Sequence, residues 1–370
     1  MGVVAMMADQ MIEATVPDDP LKAVFAPDVR ARWRADEDRT GALRQRLNVL
    51  EACGPDPSDI LMALKVRSLR ATKAAWSTYL QAAFACNLFH GDRGADLHAR
   101  LTGTDEDGFR SAMAECLACW FFAGKMKLQA DGEARGRNRR NLDLKVTFPS
   151  GEVGVEVKAP YREDPTGISG IWHGDDSDKI MQCLEAANKQ FDDQGTNILV
   201  IVPRLRLPMY GSRRDLIKAA YGESVIAFDV NPEAGRLENH RWVFAQRGKF
   251  LNTKLPGGRP IKPDGLPAYR RIGAVLSIEE VEREKYRCPM DVAVAASLVK
   301  EGRSEWNRIF KELRDLYFSR DNQIRMDHAV LVLHNPNAYE PLDEDLFAEF
   351  PQLVVRDDGM VWTDGYEGFV

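Results

Sequence analysis

Residues 141–160 constrain the fold more than any other stretch, because two short runs there alternate between apolar and polar side chains. The apolar positions of the first run are Leu142, Leu144, Val146 and Phe148, and those of the second are Val153, Val155 and Val157. A period of two over such runs predicts two strands, each with one buried face. Pro149-Ser150-Gly151 between the runs predicts the turn of a hairpin.

The turn also predicts how the two strands pair. A two-residue turn at Ser150-Gly151, or a four-residue loop around it, would place Asp143 opposite Lys158 and Lys145 opposite Glu156. Because side chains alternate between the faces of a strand, Asp143, Glu156 and Lys158 then share the face that the apolar residues do not use. We therefore predict that two carboxylates and a lysine lie close together on this hairpin.

The composition is that of a globular protein without a membrane segment. The chain has 370 residues, which is enough for one large domain or two. Of these residues, 44% are hydrophobic and 29% are charged, as is usual for a globular protein. No apolar run approaches the roughly 20 residues of a membrane span, and no basic region precedes the short apolar N-terminus as in a signal peptide. Six scattered cysteines suit reduced, buried thiols, so we expect a cytoplasmic protein.

The pattern along the chain predicts an N-terminal helical region, residues 1–104, and an α/β domain, residues 105–370, with insertions and a C-terminal extension. Helices are expected at about 56–89, 106–124, 177–193 and 279–318. Strands are expected at 125–130, in the hairpin, and at 197–203, 224–230, 271–278 and 328–334. The last thirty residues read as irregular. This order predicts a mixed central β-sheet flanked by helices.

Glu115 is the only charged residue between Ala112 and Gly124 in the second of these helices. A bare buried charge is too costly, so this carboxylate must be paired, hydrogen-bonded, metal-bound or neutral. Pairing with a nearby arginine and assistance to a metal ion both remain open. Cys116 and Cys119 lack the second ligand pair that a zinc site needs, so they are expected to pack in the core.

Two carboxylates at the edge of a sheet form a hard oxygen site of the kind that suits Mg²⁺. Such an ion polarises a phosphoryl oxygen and lowers the pKa of bound water. Lys158 follows Glu156 on the same face, about 7 Å along the strand, where an ammonium can stabilise charge on phosphorus. Together these groups provide the chemistry that phosphodiester hydrolysis requires.

A basic segment leads into the hairpin. Its members are Arg135, Arg137, Arg139, Arg140 and Lys145. In a protein with a net charge of −6, such a cluster beside an acidic site predicts contacts to a phosphate backbone, although a solvated basic loop would look the same.

Asp143, Glu156-Val157-Lys158 and the preceding helix with Glu115 resemble the PD-(D/E)xK nuclease superfamily, whose fold is called restriction-endonuclease-like. The resemblance covers about residues 106–203, and it departs from the motif because Leu142 stands where the motif has proline. It implies a restriction-endonuclease-like core and Mg²⁺-dependent cleavage of DNA, with Mn²⁺ able to substitute. Asp143, Glu156 and Glu115 would serve the metal, and Lys158 the attacking water. Gln190 matches a glutamine that relatives carry in the next helix.

The resemblance therefore predicts a DNA endonuclease, of a restriction or phage-defence type. A homodimer is compatible with this activity, since cutting two strands often needs two sites, and no membrane partner is expected. The alternative is a non-catalytic module with the same fold that binds nucleic acid or a protein. In that case the charged residues of the hairpin would only stabilise the sheet, by about 0.2–1 kcal/mol a pair.

Overall fold

The structure is a computed structural model that describes residues 16–36, 41–57, 60–132, 142–160, 176–192, 195–203, 211–231, 236–254, 258–283, 311, 324–356 and 359–362. Its α-helices are α1 (Pro20–Val24), α2 (Pro27–Asp36), α3 (Gly41–Glu51), α4 (Ile60–Ala85), α5 (Gly91–Thr102), α6 (Glu106–Cys119), α7 (Ser177–Gln190) and α8 (Gly211–Ala220). A π-helical turn, Trp120–Lys125, continues α6, and a 3₁₀-helix spans Glu344–Phe347.

The strands are β1 (Gln129–Asp131), β2 (Leu144–Phe148), β3 (Gly151–Lys158), β4 (Asn197–Ile201), β5 (Gly222–Asn231), β6 (Arg236–Arg247), β7 (Ala274–Arg283), β8 (Arg325–His334), β9 (Gln352–Arg356) and β10 (Gly359–Trp362). Eight of them form one sheet in the order β1-β2-β3-β4-β7-β8-β9-β10, and β5 and β6 form a separate antiparallel pair. Strands β3, β4 and β7 run parallel, and β1, β2 and β3 are antiparallel.

The predicted α/β class with a mixed sheet is confirmed, but several predicted elements differ. The strand expected at 125–130 begins only at Gln129, because the preceding residues complete the π-helical turn. Helix α8 and strands β6, β9 and β10 were not predicted, and the last two show that the C-terminal part is not all irregular. Strand β7 continues to Arg283, where a helix was expected; most of that predicted helix lies outside the described residues.

The N-terminal helices pack into the same hydrophobic cluster as the sheet. Trp33 of α2 is fully buried and meets Phe109 of α6 edge to face, with ring centroids 6.3 Å apart. Arg46 of α3 stacks on Phe109, with its guanidinium carbon 3.9 Å from the ring centre, and donates to the carbonyl of Gly103. The cluster runs on without a break to Val153 of β3. Helices α1 to α5 therefore form one wall of the core that supports the hairpin.

In the described part of the chain, no helix is long and apolar enough to cross a membrane. Five of the six cysteines lie in these ranges, and all five are free thiols. Cys116 and Cys119 are completely buried, which confirms their predicted place in the core.

The hairpin forms as predicted, but its register is shifted by two residues. Phe148 pairs with Gly151, so Pro149 and Ser150 form the turn. Proline favours the first central position of a turn because its φ is already near −65° and it has no N–H to lose. The predicted pairs Asp143 with Lys158 and Lys145 with Glu156 are therefore wrong. A shift of two preserves the faces, so Asp143 and Glu156 still share one side of the hairpin.

Gly151 offers a direct test of this turn. Its φ of +138° lies in a region that side-chain-bearing residues rarely adopt, and a Cβ there would meet no other atom within 4 Å. We expect Gly151→Ala to lower the free energy of unfolding by about 1–3 kcal/mol through backbone strain alone. Urea denaturation measures this, with Ser150→Ala in the same turn as the control. Equal stability of the two variants would contradict the observed turn.

Candidate active site

Strand β3 carries Glu156 into the interior. Val155 and Val157 belong to the hydrophobic cluster of α4 and α6, so alternation turns Glu156 to the opposite face, where it lies beside Leu199 of β4. Glu156 is completely buried, and its Oε1 has no hydrogen-bond partner among the described residues. Its Oε2 lies 3.3 Å from Nζ of Lys158, whose side chain is 27% exposed. A buried carboxylate oxygen without a partner is costly unless a ligand satisfies it.

Asp143 immediately precedes β2, and its carboxylate replaces a backbone carbonyl as the acceptor of one hydrogen bond from β3. Oδ2 of Asp143 accepts a hydrogen bond from the Val157 amide at 2.7 Å. If the antiparallel ladder continued, this amide would instead donate to the carbonyl of Leu142. That carbonyl instead accepts from Arg93 at 2.8 Å. The chain therefore leaves the strand at this point, and Leu142 packs over Gly154 on the α7 side. The prediction that Leu142 faces the same way as Leu144 is wrong for this reason.

The surroundings of Glu156 favour its protonated form. Burial raises the pKa of Glu156 to about 8, the neighbouring Asp143 carboxylate adds to the rise, and Lys158 opposes it. At neutral pH, Glu156 thus holds a proton, which a bound cation would have to displace.

Glu115 lies behind this pair and is held by two arginines. Its Oε1 is 2.7 Å from Nη1 of Arg100, and its Oε2 is 3.4 Å from Nη2 of Arg93. Burial and the Asp143 charge raise the pKa of Glu115, whereas Arg100 and Arg93 lower it. Of the two readings of this residue, the structure shows the arginine pairing. Both oxygens are occupied, so Glu115 acts on the site through Arg93, which also lies 3.5 Å from Oδ1 of Asp143.

Arg93 and Arg100 were missed in the sequence. Both stand on α5, which begins at Gly91, where the sequence predicts a break in the helical pattern, and they precede Glu115 by 22 and 15 residues. The one available signal was Glu115 itself, because a buried acid needs a partner. Nothing in the spacing says which arginine of the chain supplies it.

The remaining predicted residues have different positions. Arg135, Arg137, Arg139 and Arg140 lie outside the described residues. Lys145 lies opposite Gly154 of β3, and its ammonium forms an ion pair with Glu152 at 2.7 Å.

Gln190 is the last residue of α7, which connects the carboxyl end of β3 to the amino end of β4. Because the two strands are parallel, this end of α7 lies away from Glu156 and Lys158. Asn188, two residues earlier in the same helix, accordingly accepts a hydrogen bond from the Arg271 amide shortly before β7. Cys183, in the middle of α7, lies close enough to Lys158 for their charges to interact. Burial raises the pKa of the Cys183 thiol, and the positive charge of Lys158 opposes this rise. The structure thus does not bring Gln190 to the acid pair.

Comparisons of the chain with protein families, with characterised proteins and with solved structures found no match.

Asp143 and Glu156 offer carboxylate oxygens of the kind that a divalent cation binds. Within the described ranges, no group of three or more His, Cys, Asp or Glu residues is placed to hold a metal ion. Mg²⁺, however, commonly uses one or two carboxylates and completes its shell with water and phosphate oxygens. The unpartnered Oε1 of Glu156, beside the Asp143 carboxylate, is such a donor.

A largely apolar groove with a cavity of about 50 Å³ lies on the other face of β3, beyond the carboxyl ends of β3 and β4. Its walls include Trp76 and Tyr79 of α4, Phe109 of α6, and Ala159 and Pro160, which directly follow Lys158. Asp143 and Glu156 do not line it. Asp143, the buried Glu156 and Lys158 therefore form a site distinct from this groove, whose lining also includes the charged residues Glu106, Arg110 and Glu280.

Proposed function

We propose that this protein is a metal-dependent endonuclease that hydrolyses DNA phosphodiester bonds. The observation that carries the proposal is the buried Glu156, with one unpartnered oxygen, beside Asp143 and followed by Lys158 on the same strand face. A buried acid whose pKa is raised by burial and by a neighbouring carboxylate, and which stands next to a lysine, is typical of a functional site rather than of sheet stabilisation.

The order of elements supports a restriction-endonuclease-like core. Helix α6 is followed by the antiparallel strands β1, β2 and β3, then by α7, and then by β4, which pairs in parallel with β3. The resemblance places its first acid on the second of these strands and Glu-x-Lys on the third. Asp143 stands one residue before β2, and Glu156 and Lys158 are on β3, in agreement with that pattern.

The side chains divide the work as follows. Asp143 and Glu156 would hold Mg²⁺, which supplies Lewis acidity and acidifies water when bound. The Val157 amide keeps the Asp143 carboxylate in place. Lys158 directs its ammonium to the attacking water and to the charge that develops on the phosphoryl oxygens. The positive charges of Arg93 and Arg100 compensate the negative charge of Glu115. A bound divalent cation would therefore leave the site with a net positive charge, which favours binding of an anionic phosphodiester.

The test is cleavage of supercoiled, linear and single-stranded DNA, and of RNA, with Mg²⁺, Mn²⁺ or EDTA. We expect nicking or cutting of DNA with either metal and none with EDTA. Asp143→Asn should lose this activity by 100-fold or more while retaining the wild-type melting temperature, because the amide keeps the shape and loses the charge. Equal cutting by a folded Asp143→Asn protein would contradict the assignment.

A second candidate function is a non-catalytic module that binds nucleic acid or a protein. It is favoured by the fact that each acid already has a cation nearby, namely Arg93 for Asp143, Arg100 for Glu115 and Lys158 for Glu156. Titration with Mn²⁺, followed by electron paramagnetic resonance, separates the two. The nuclease binds Mn²⁺ through both acids and loses it in Asp143→Asn, whereas the module binds none.

A further inference from the structure

Arg93 joins four groups that belong to different parts of the chain. Its Nη1 donates to the carbonyl of Gly132 and, at 2.8 Å, to that of Leu142. Its Nη2 lies 3.4 Å from Glu115 Oε2 and 3.5 Å from Asp143 Oδ1. One guanidinium thus holds the carbonyls of Gly132 and Leu142 close together and at the same time contacts the acid that directly precedes β2.

These contacts depend on the shape of arginine. A guanidinium is a planar fork with five N–H donors, so it can serve two carbonyls and two carboxylates at once. The single ammonium of lysine can place its charge near the acids, but it cannot reproduce this geometry. Only 22% of the Arg93 side chain is exposed, so its partners cannot readily be replaced by water.

The position of Asp143 follows from these contacts. Its Oδ2 is held by the Val157 amide and its Oδ1 is faced by Arg93. Leu142, whose carbonyl Arg93 binds, is the residue directly before it. Both the side chain and the main chain of Asp143 are therefore fixed from helix α5.

We propose that Arg93 is the positioning residue of the acid pair: it holds Asp143 where a divalent cation shared with Glu156 can bind, through its contacts with the Asp143 carboxylate and with the carbonyl of Leu142. This inference rests on the metal site of the proposed function. It adds that metal affinity depends on an N-terminal helix that carries no metal ligand of its own. Partners of metal ligands typically change metal affinity by about 10–100-fold when they are removed.

Arg100 is a matched control, because it stands on the same helix and binds the same Glu115. It lies 2.7 Å from Glu115 Oε1, and its other ion pair is with Asp96 on the surface, so it contacts neither Asp143 nor Leu142. If Arg93 only neutralised Glu115, Arg93→Met and Arg100→Met would behave alike. If Arg93 positions Asp143, only the first variant disturbs the acid pair.

The first measurement uses the metal-free protein and needs no activity. Hydrogen exchange of the Val157 amide, resolved to the single residue, reports whether Asp143 stays in place, since its carboxylate is the acceptor. We expect exchange about 10-fold faster in Arg93→Met and unchanged in Arg100→Met. Arg93→Lys, which retains the charge, serves if the methionine variant does not fold, and its exchange should also be faster. Equal rates in wild type and both Arg93 variants would overturn the proposal.

The second measurement is the Kd for Mn²⁺ and the cleavage rate at each metal concentration. We expect Arg93→Met to raise the Kd about 10-fold or more, and saturating Mn²⁺ to restore most of the cleavage rate. Arg100→Met should bind Mn²⁺ like wild type. Normal Mn²⁺ affinity in Arg93→Met would refute the role of Arg93 and leave the nuclease intact. A wild type that binds Mn²⁺ but cuts no DNA would refute the nuclease and leave the role of Arg93 standing.

Discussion

Lys158→Met is expected to lower the rate of Mg²⁺-dependent DNA cleavage by about 100-fold or more while leaving the protein folded. The Lys158 ammonium lies 3.3 Å from Glu156 Oε2 and is partly exposed, so it can reach a substrate phosphate beside the acid pair. Its loss removes the positive charge that would stabilise the reacting phosphoryl group. Mn²⁺ should bind at least as tightly as in wild type, because a cation that repels the metal has been deleted. The loss then appears in the rate at saturating metal.

Lys189→Met is the control for this variant. Lys189 lies on α7, is 72% exposed, and forms an i, i+4 surface pair with Glu185 at 2.9 Å. Such a pair contributes little to stability, so this variant should cut DNA as wild type does. A Lys158→Met protein with wild-type cleavage would contradict the assigned role. A fall in Mn²⁺ affinity together with the rate would instead make Lys158 a support for Glu156.

The sequence was sufficient for the faces of the hairpin but not for its register. Alternation in β2 and β3 required Asp143 and Glu156 to share a side, and a register shift of two residues cannot change that. The register depended on which residues formed the turn. The two-residue turn and the four-residue loop predicted from the sequence both placed Gly151 inside the loop. The decisive property was the fixed φ of Pro149, which selects the earlier turn. Side-chain parity is thus more robust than exact pairing.

The long-range contacts of the site could not be predicted in the same way. Arg93 reaches Glu115 across 22 residues and Leu142 across 49, and no local pattern encodes such distances. The departure of Leu142 from its expected face has the same origin, because Arg93 takes its carbonyl and Asp143 takes the amide of Val157. The sequence therefore predicted which acids meet, whereas tertiary packing decided how they are held.

Glu156→Gln is expected to stabilise the metal-free protein at alkaline pH. The pKa of Glu156 is raised from 4.5 to about 8, so between these values the folded protein keeps a proton that the unfolded chain releases. Its contribution to the free energy of unfolding is therefore greatest below pH 4.5, falls as the pH rises, and levels off above pH 8. Glutamine has the shape of the protonated acid without its titration. At pH 9 the variant should be more stable by roughly 5 kcal/mol, and at pH 4.5 nearly equal.

Urea denaturation at several pH values measures this difference, with Glu185→Gln on the surface of α7 as the control. The hydrogen bond from Lys189 lowers the pKa of Glu185, so the control should show the opposite sign and a small effect. Parallel stability curves for wild type and Glu156→Gln would contradict the buried, proton-binding state of Glu156.

Saturating Mn²⁺ should reverse the order of stability. The ion stabilises the wild-type fold by binding the deprotonated acid, and this gain grows as the pH rises towards 8 because fewer protons must be displaced. Glu156→Gln has no carboxylate to offer, so Mn²⁺ should leave its stability nearly unchanged. The same buried carboxylate thus destabilises the empty fold and stabilises the metal-bound one, as expected if Glu156 is maintained for binding a cation.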